Sequence, residues 1–192
     1  MKKNLLLAFL LFISLHVFAQ QKFTEGKIDF HEKNDSIDVK KTVEYIMEEK
    51  VFGNKKEILN FSLLNDSGVL YLHLQLIEAN TDFIPAKCID KNSKLFIQLQ
   101  NGKIITLIAT GDVCSQLIRT PDSNSNTRVL GSYYLFSKNN FEELHNSPIS
   151  MIRIGFGIEH KDYVPKKVLV SELTNTEYSP ENYFINNLKV VY

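Results

Sequence analysis

The sequence contains no tryptophan, only two cysteines among 192 residues, and equal numbers of basic and acidic side chains, 22 of each. Two cysteines without a Cys-x-x-Cys pair exclude the usual structural zinc sites. The missing tryptophan weakens a carbohydrate-binding interpretation, because sugars stack on large aromatic rings. Together these absences argue against a structural zinc site and against a carbohydrate-binding domain.

Long apolar runs are also absent, except at the N-terminus. Residues 1–19 begin with Lys2 and Lys3, continue through an apolar stretch and end in Val-Phe-Ala, which is the pattern of a secretory signal peptide cleaved before Gln20. We therefore predict an exported protein, periplasmic or extracellular. An uncleaved membrane anchor is the alternative.

The segment 20–192 is predicted to be a single β-rich globular domain with no stable membrane insertion. Without the two lysines of the signal peptide it has 20 basic and 22 acidic residues, a net charge of −2. This charge argues against binding to nucleic acid or to an anionic membrane.

Two apolar, β-branched runs joined by Asn101-Gly102 make residues 95–109 the clearest hairpin signal in the chain. A two-residue type I′ turn at these positions pairs residues whose numbers sum to 203. This register predicts two faces, a core face of Leu95, Ile97, Leu99, Ile104 and Ile108, and a mixed face of Phe96, Gln98, Gln100, Ile105 and Leu107.

The strongest alternation of apolar and polar residues lies at 70–76, where leucines occupy one face and Tyr71, His73 and Gln75 the other. The preceding strand, 59–63, alternates in the same way. A four-residue loop between the two strands gives pairs that sum to 133 and places both apolar sets on one face. One buried, apolar face and one solvent-exposed, polar face indicate an antiparallel sheet over a single core.

Other segments complete a mostly β pattern. Segment 37–51 fits either a helix or a strand, and the β-rich neighbourhood favours a strand. A short helix is predicted from Asn139, and a C-terminal helix from Ser179-Pro180. The predicted fold is mostly antiparallel β, a β-sandwich or partly closed barrel with one short internal helix and a C-terminal helix.

The two cysteines, Cys88 and Cys114, bracket the hairpin at 95–109. Their numbers sum to 202, one short of the predicted ladder, so a single bulge would bring them opposite each other. Export to an oxidising compartment favours a disulfide over two separate buried thiols. Such a bridge closes a loop of roughly 25 residues and adds about 3 kcal/mol in the chain-entropy model.

No motif assigns a catalytic function. The histidines lack metal-ligand spacing, and the chain has neither a Gly-x-Ser-x-Gly elbow nor a phosphate-binding glycine loop. We predict no catalytic residues, no metal and no cofactor. The candidate ligand-binding residues are Tyr71, His73 and Gln75, as the polar wall of a pocket between sheets, and His160 in a cluster of ionisable groups.

The leading interpretation is a non-catalytic binding or structural module whose partner is an unknown protein or small molecule. The first alternative is a barrel-type carrier of a small apolar ligand, with Phe96, Ile105 and Leu107 lining the cavity. The second is a hydrolase that uses His160 or His73 with a carboxylate, which requires these side chains to converge in one cleft.

Overall fold

The computed structural model describes residues 26–119, 125–136 and 141–191, together with the backbone of residues 21–22. The predicted signal peptide, residues 1–19, lies outside the described residues. The elements follow in chain order: β1 Gln21–Lys22, β2 Ile28–Lys33, β3 Asp38–Thr42, β4 Tyr45–Phe52, β5 Lys55–Asp66, β6 Val69–Asn80, β7 Cys88–Ile89, β8 Lys94–Leu99, β9 Ile104–Ala109, β10 Val113–Cys114, β11 Gln116–Arg119, β12 Asn126–Leu135, α1 Phe141–Asn146, β13 Ile149–Phe156, β14 Glu159–Tyr163, β15 Leu169–Val170, β16 Thr176–Tyr178, a 3-10 helix Pro180–Asn182 and α2 Tyr183–Val191.

The mostly antiparallel β fold with a short internal helix and a C-terminal helix is confirmed. The large sheet has the order β14-β13-β8-β9-β12-β6-β5-β3-β2, with β4 also paired to β5 and β11 to β12. Two small sheets, β1-β16-β15 and β10-β7, lie beside it. Segment 37–51 forms β3 and most of β4, as the sequence favoured.

The large sheet folds over itself and encloses one hydrophobic core. Edge strand β14 reaches β5 in the middle of the sheet, where Lys161 donates to Glu57. Helix α2 closes the core with an apolar stripe. The rings of Tyr45 and Phe61 contact that of Tyr183 edge to face, at 5.2 and 5.7 Å between centroids. The other fully buried apolar side chains of α2 are Phe184, Leu188 and Val191.

The predicted register of the β8–β9 hairpin is wrong by one residue. The observed pairs sum to 202, for example Ile97 with Ile105. A three-residue loop replaces the type I′ turn, because the amide of Leu99 donates to Lys103 and only Gly102 has a positive φ, 84°. An odd shift reverses the faces of β9. Ile105 and Leu107 are therefore core residues, whereas Ile104 and Ile108 are exposed.

The β5–β6 hairpin keeps its predicted faces although its register differs by two. Observed pairs sum to 135, with Leu63 opposite Leu72, so the loop has only two residues. Ser67 and Gly68 both have positive φ, 50° and 90°, as a type I′ turn requires. An even shift leaves every side chain on its predicted face, and the apolar residues predicted for the core face, such as Phe61 and Leu72, are buried.

Cys88 and Cys114 form the predicted disulfide. They lie directly opposite each other in the β7–β10 ladder, with Ile89 opposite Val113 in the next pair. These pairs sum to 202, as in the β8–β9 hairpin, so the bulge that followed from the predicted sum of 203 is absent. The disulfide is compatible with an exported protein.

Candidate functional site

A row of apolar side chains crosses the outer face of the large sheet, opposite the core. The pairing of β9 with β12, of β12 with β6 and of β6 with β5 sets the members of this outer-face row directly opposite one another. Side chains paired in this way lie about 5 Å apart. The outer-face row consists of Ile108, Leu135, Tyr71 and Leu64. Ile108 and Leu135 are 54% and 42% exposed.

An open cleft of about 330 Å³ lies beside the outer-face row, lined by Leu64, Asp66, Tyr71, Thr110 and Tyr133. It combines two tyrosine rings with a carboxylate and a hydroxyl. The amide of Thr110 donates to the carbonyl of Tyr133 at 2.9 Å, which fixes β9 against β12. Rigid strands therefore present the lining side chains.

His73 lies next to this cleft, directly opposite Tyr133 on the neighbouring strand. The two rings stack with 4.6 Å between centroids and a tilt of 33°. His73 Nδ1 lies 3.4 Å from Ser62 Oγ. Gly131 leaves the space that the ring occupies, because a Cβ there would lie 3.3 Å from His73 Nε2. The imidazole is thus packed into the sheet face.

Gln75, the third predicted residue of this face, accepts a hydrogen bond from Asn60 Nδ2 at 3.1 Å. The structure brings Tyr71, His73 and Gln75 together on one face, as a period of two requires. They lie on the outer face of the sheet and not between two sheets. Gln75 contributes to cross-strand pairing, whereas Tyr71 lines the cleft.

His73 makes stability depend on pH. Burial, together with the Lys41 ammonium, lowers the pKa of His73 from 6.5 to about 4. Between these values the unfolded chain binds a proton that the folded protein does not, so the free energy of unfolding falls as the pH decreases through this window. We expect His73→Gln to reduce this fall, measured as urea midpoints at several pH values. Parallel curves for the wild type and the variant would show that His73 does not contribute.

His160 lies elsewhere. It is exposed on edge strand β14, opposite Gly155 on β13. Four strands, β13, β8, β9 and β12, lie between β14 and the strand of His73 in the sheet order. The carboxylate nearest in sequence is that of Glu159, which is exposed on the same strand. The other neighbouring carboxylate, Asp162, makes a bidentate ion pair with Arg153, at 2.7 Å for both hydrogen bonds. No contact among the described residues joins His160 to His73, so the two do not form a common catalytic cleft.

A second cluster, at the end of the sheet where β5 begins and β6 ends, was not found from the sequence. Glu57 and Glu78 lie directly opposite each other. Lys161 donates to Glu57 and Lys87 to Glu78. The hydroxyl of Tyr163 is buried beside Glu57, and its pKa is raised by burial first and then by the negative charges of Glu57 and Glu78.

Sequence reasoning missed this cluster for a physical reason. Its members come from four separated segments, and the predicted sum of 133 places Glu78 away from Glu57. Only the observed register, with its sum of 135, makes the two carboxylates a cross-strand pair. Like charges directly opposite each other are destabilising. Lys161 and Lys87 offset this repulsion. A cross-strand pair of glutamates would therefore have indicated nearby lysines, had the register been predicted correctly.

Among the described residues, no group of three His, Cys, Asp or Glu side chains could hold a metal ion. None of the helices in this part of the chain has the length and apolar character of a membrane-spanning segment. No family model matches the chain, and no curated protein or solved structure is significantly similar to it. The function must therefore be argued from the surface itself.

Proposed function

We propose that this protein is an exported, non-catalytic binding module that recognises a protein partner through the outer-face row and the adjacent cleft. The observation that carries the proposal is the unbroken apolar row across four strands, with exposed side chains at Ile108 and Leu135. Contiguous exposed apolar surface on a soluble domain marks an interaction site. The signal-peptide pattern and the disulfide support export.

A protein partner fits this surface better than a small ligand does. The row follows the face of a sheet, and the cleft beside it is open. Small-molecule sites are concave and bury most of the ligand. The two tyrosines at the cleft, Tyr71 and Tyr133, are side chains of the kind enriched at protein interfaces. Asp66 and Thr110 supply polar contacts at the rim of the same surface.

The alternatives have less support. The carrier needs Phe96, Ile105 and Leu107 around one cavity, but Ile105 and Leu107 are buried in the core and Phe96 lies on the opposite face. The hydrolase needs a histidine beside a free carboxylate. His73 packs on a tyrosine ring. Of the carboxylates near His160, Asp162 is paired with Arg153, and Glu159 is exposed beside His160 on the edge strand.

The test is native mass spectrometry of the protein recovered from the exported fraction. We expect the wild type to carry a partner and Leu135→Asp to lose it, because a charge in the middle of the row would be desolvated in the complex. Val170→Asp is the matched control, since Val170 in β15 is 45% exposed and Leu135 is 42% exposed. The same complex from Leu135→Asp, or an unbound wild type, would contradict the proposal.

A further inference from the structure

A pocket of about 290 Å³ lies at the end of the sheet that carries Glu57 and Glu78, away from the outer-face row. The end of β4 with the start of β5, and the end of β6 with the connection that follows it, form its two sides. Phe52 and Phe83, one from each side, are 85% and 79% exposed. Exposed phenylalanines on two separate segments that line the same pocket are costly in water, and an apolar group between them would cover both.

The wall between these rings carries charges of both signs. Lys50 is opposite Glu57, and Glu57 is opposite Glu78, so one ammonium and two carboxylates lie in a row across β4, β5 and β6. All three side chains line the pocket. A ligand that enters it therefore meets both a positive and a negative group. The Cβ atoms of neighbouring members of this row lie about 5 Å apart.

These charges have unused bonding capacity. Lys87 donates to Oε1 of Glu78, and no described residue donates to the second oxygen of Glu78. Lys50 makes no ion pair with a described residue, and its ammonium lies 5.6 Å from the centroid of the Tyr163 ring. The pocket thus holds an acceptor and a donor that a ligand can satisfy.

We propose that this pocket binds a free α-amino acid with an aromatic or large aliphatic side chain. The ammonium of the ligand would bind the free oxygen of Glu78, its carboxylate would bind Lys50, and its side chain would lie between Phe52 and Phe83. A simple anion is disfavoured by Glu57 and Glu78, and a neutral apolar molecule would leave the charges of the pocket unpaired and desolvated. A simple cation is disfavoured by the lysines of the lining, Lys50, Lys55 and Lys56.

The first test uses the wild-type protein and four probes in an NMR titration of the backbone amides. L-phenylalanine carries all three groups, phenethylamine lacks the carboxylate, 3-phenylpropionate lacks the ammonium, and glycine lacks the ring. We expect saturable shifts around Phe52 and Phe83 with L-phenylalanine, and at least about tenfold weaker binding of each other probe, because each loses one charged or apolar contact. Equal affinities, or shifts elsewhere on the protein, would overturn the proposal.

The second test separates a binding role of Glu78 from a structural one. Glu78→Gln should weaken L-phenylalanine and phenethylamine about tenfold and leave 3-phenylpropionate unchanged, because only the first two present an ammonium. Lys50→Gln should weaken L-phenylalanine and 3-phenylpropionate and leave phenethylamine unchanged, because only the first two present a carboxylate. Phe83→Ala should weaken every probe with a ring, whereas Ile104→Ala, at another exposed apolar side chain, should weaken none. An equal loss for all probes in Glu78→Gln would mean that Glu78 only maintains the fold.

Discussion

Replacing Phe61 with alanine is expected to lower the free energy of unfolding by about 3–5 kcal/mol. Phe61 is fully buried in β5, and its ring contacts that of Tyr183 at 5.7 Å. The loss combines the transfer free energy of the ring with a cavity between the folded sheet and α2. Domains of this kind are stable by about 5–15 kcal/mol, so the variant keeps only part of its stability.

Phe52→Ala is the matched control, since it makes the same substitution in the same sheet. The Phe52 side chain is 85% exposed at the end of β4. Its removal should change the unfolding free energy by about 0.5 kcal/mol or less. Guanidinium unfolding followed by circular dichroism measures both variants. Similar losses for Phe52→Ala and Phe61→Ala would mean that the core does not lie between the sheet and α2.

Removing the disulfide gives the second large effect. The double variant Cys88→Ser, Cys114→Ser should lose about 3 kcal/mol, because the bridge closes a loop with a sequence separation of 26. Both cysteines are exposed, so the serines leave no cavity in the core. The loss should therefore come from the greater conformational freedom of the unfolded chain.

Reduction supplies the control for this prediction. A thiol reductant should bring the wild type to the stability of the double variant, and should leave the double variant unchanged. The measurement is the midpoint of guanidinium unfolding with and without reductant. A double variant within about 0.5 kcal/mol of the oxidised wild type would show that the bridge does not contribute.

The two hairpins show which part of the fold the sequence predicts and which part it does not. Alternation places Leu72 and the other leucines of its face in the core whether the pairs sum to 133 or 135, because an even shift preserves faces. The predicted faces of β9 do depend on the register, since a shift of one residue moves Ile104 from the core face to the outer face and Ile105 from the outer face to the core face. The period of a strand is a local property, but its register depends on the turn.

Non-local hydrogen bonds hold both turns in place. The amide of Ser67 donates to the carbonyl of Asp38 at 2.8 Å, which holds the tight turn against β3. At the other turn, the amide of Gln100 donates to Pro148 and that of Asn101 to Ser147 Oγ, at 2.8 and 3.1 Å. These partners come from distant parts of the chain. The local Asn-Gly signal therefore marked a turn correctly and its type wrongly.

Only the part of the candidate site that lies on one strand could be predicted from the sequence. The alternation that defines β6 brought Tyr71 and His73 to one face, and the sequence identified both. The contribution of Leu135 and Ile108 depends on which strands become neighbours. No local pattern carries that information, because β9, β12 and β6 are adjacent only in the folded sheet.

Site-specific photo-crosslinking in the cell that exports the protein tests the binding surface most directly. A photoreactive amino acid is placed at Tyr133, beside the cleft, or at the control position Val168, which is 55% exposed between β14 and β15. We predict one discrete adduct from position 133, lost when Leu135→Asp is added, and none from position 168. No adduct from position 133, or an adduct that persists with Leu135→Asp, would contradict a partner site on the outer face.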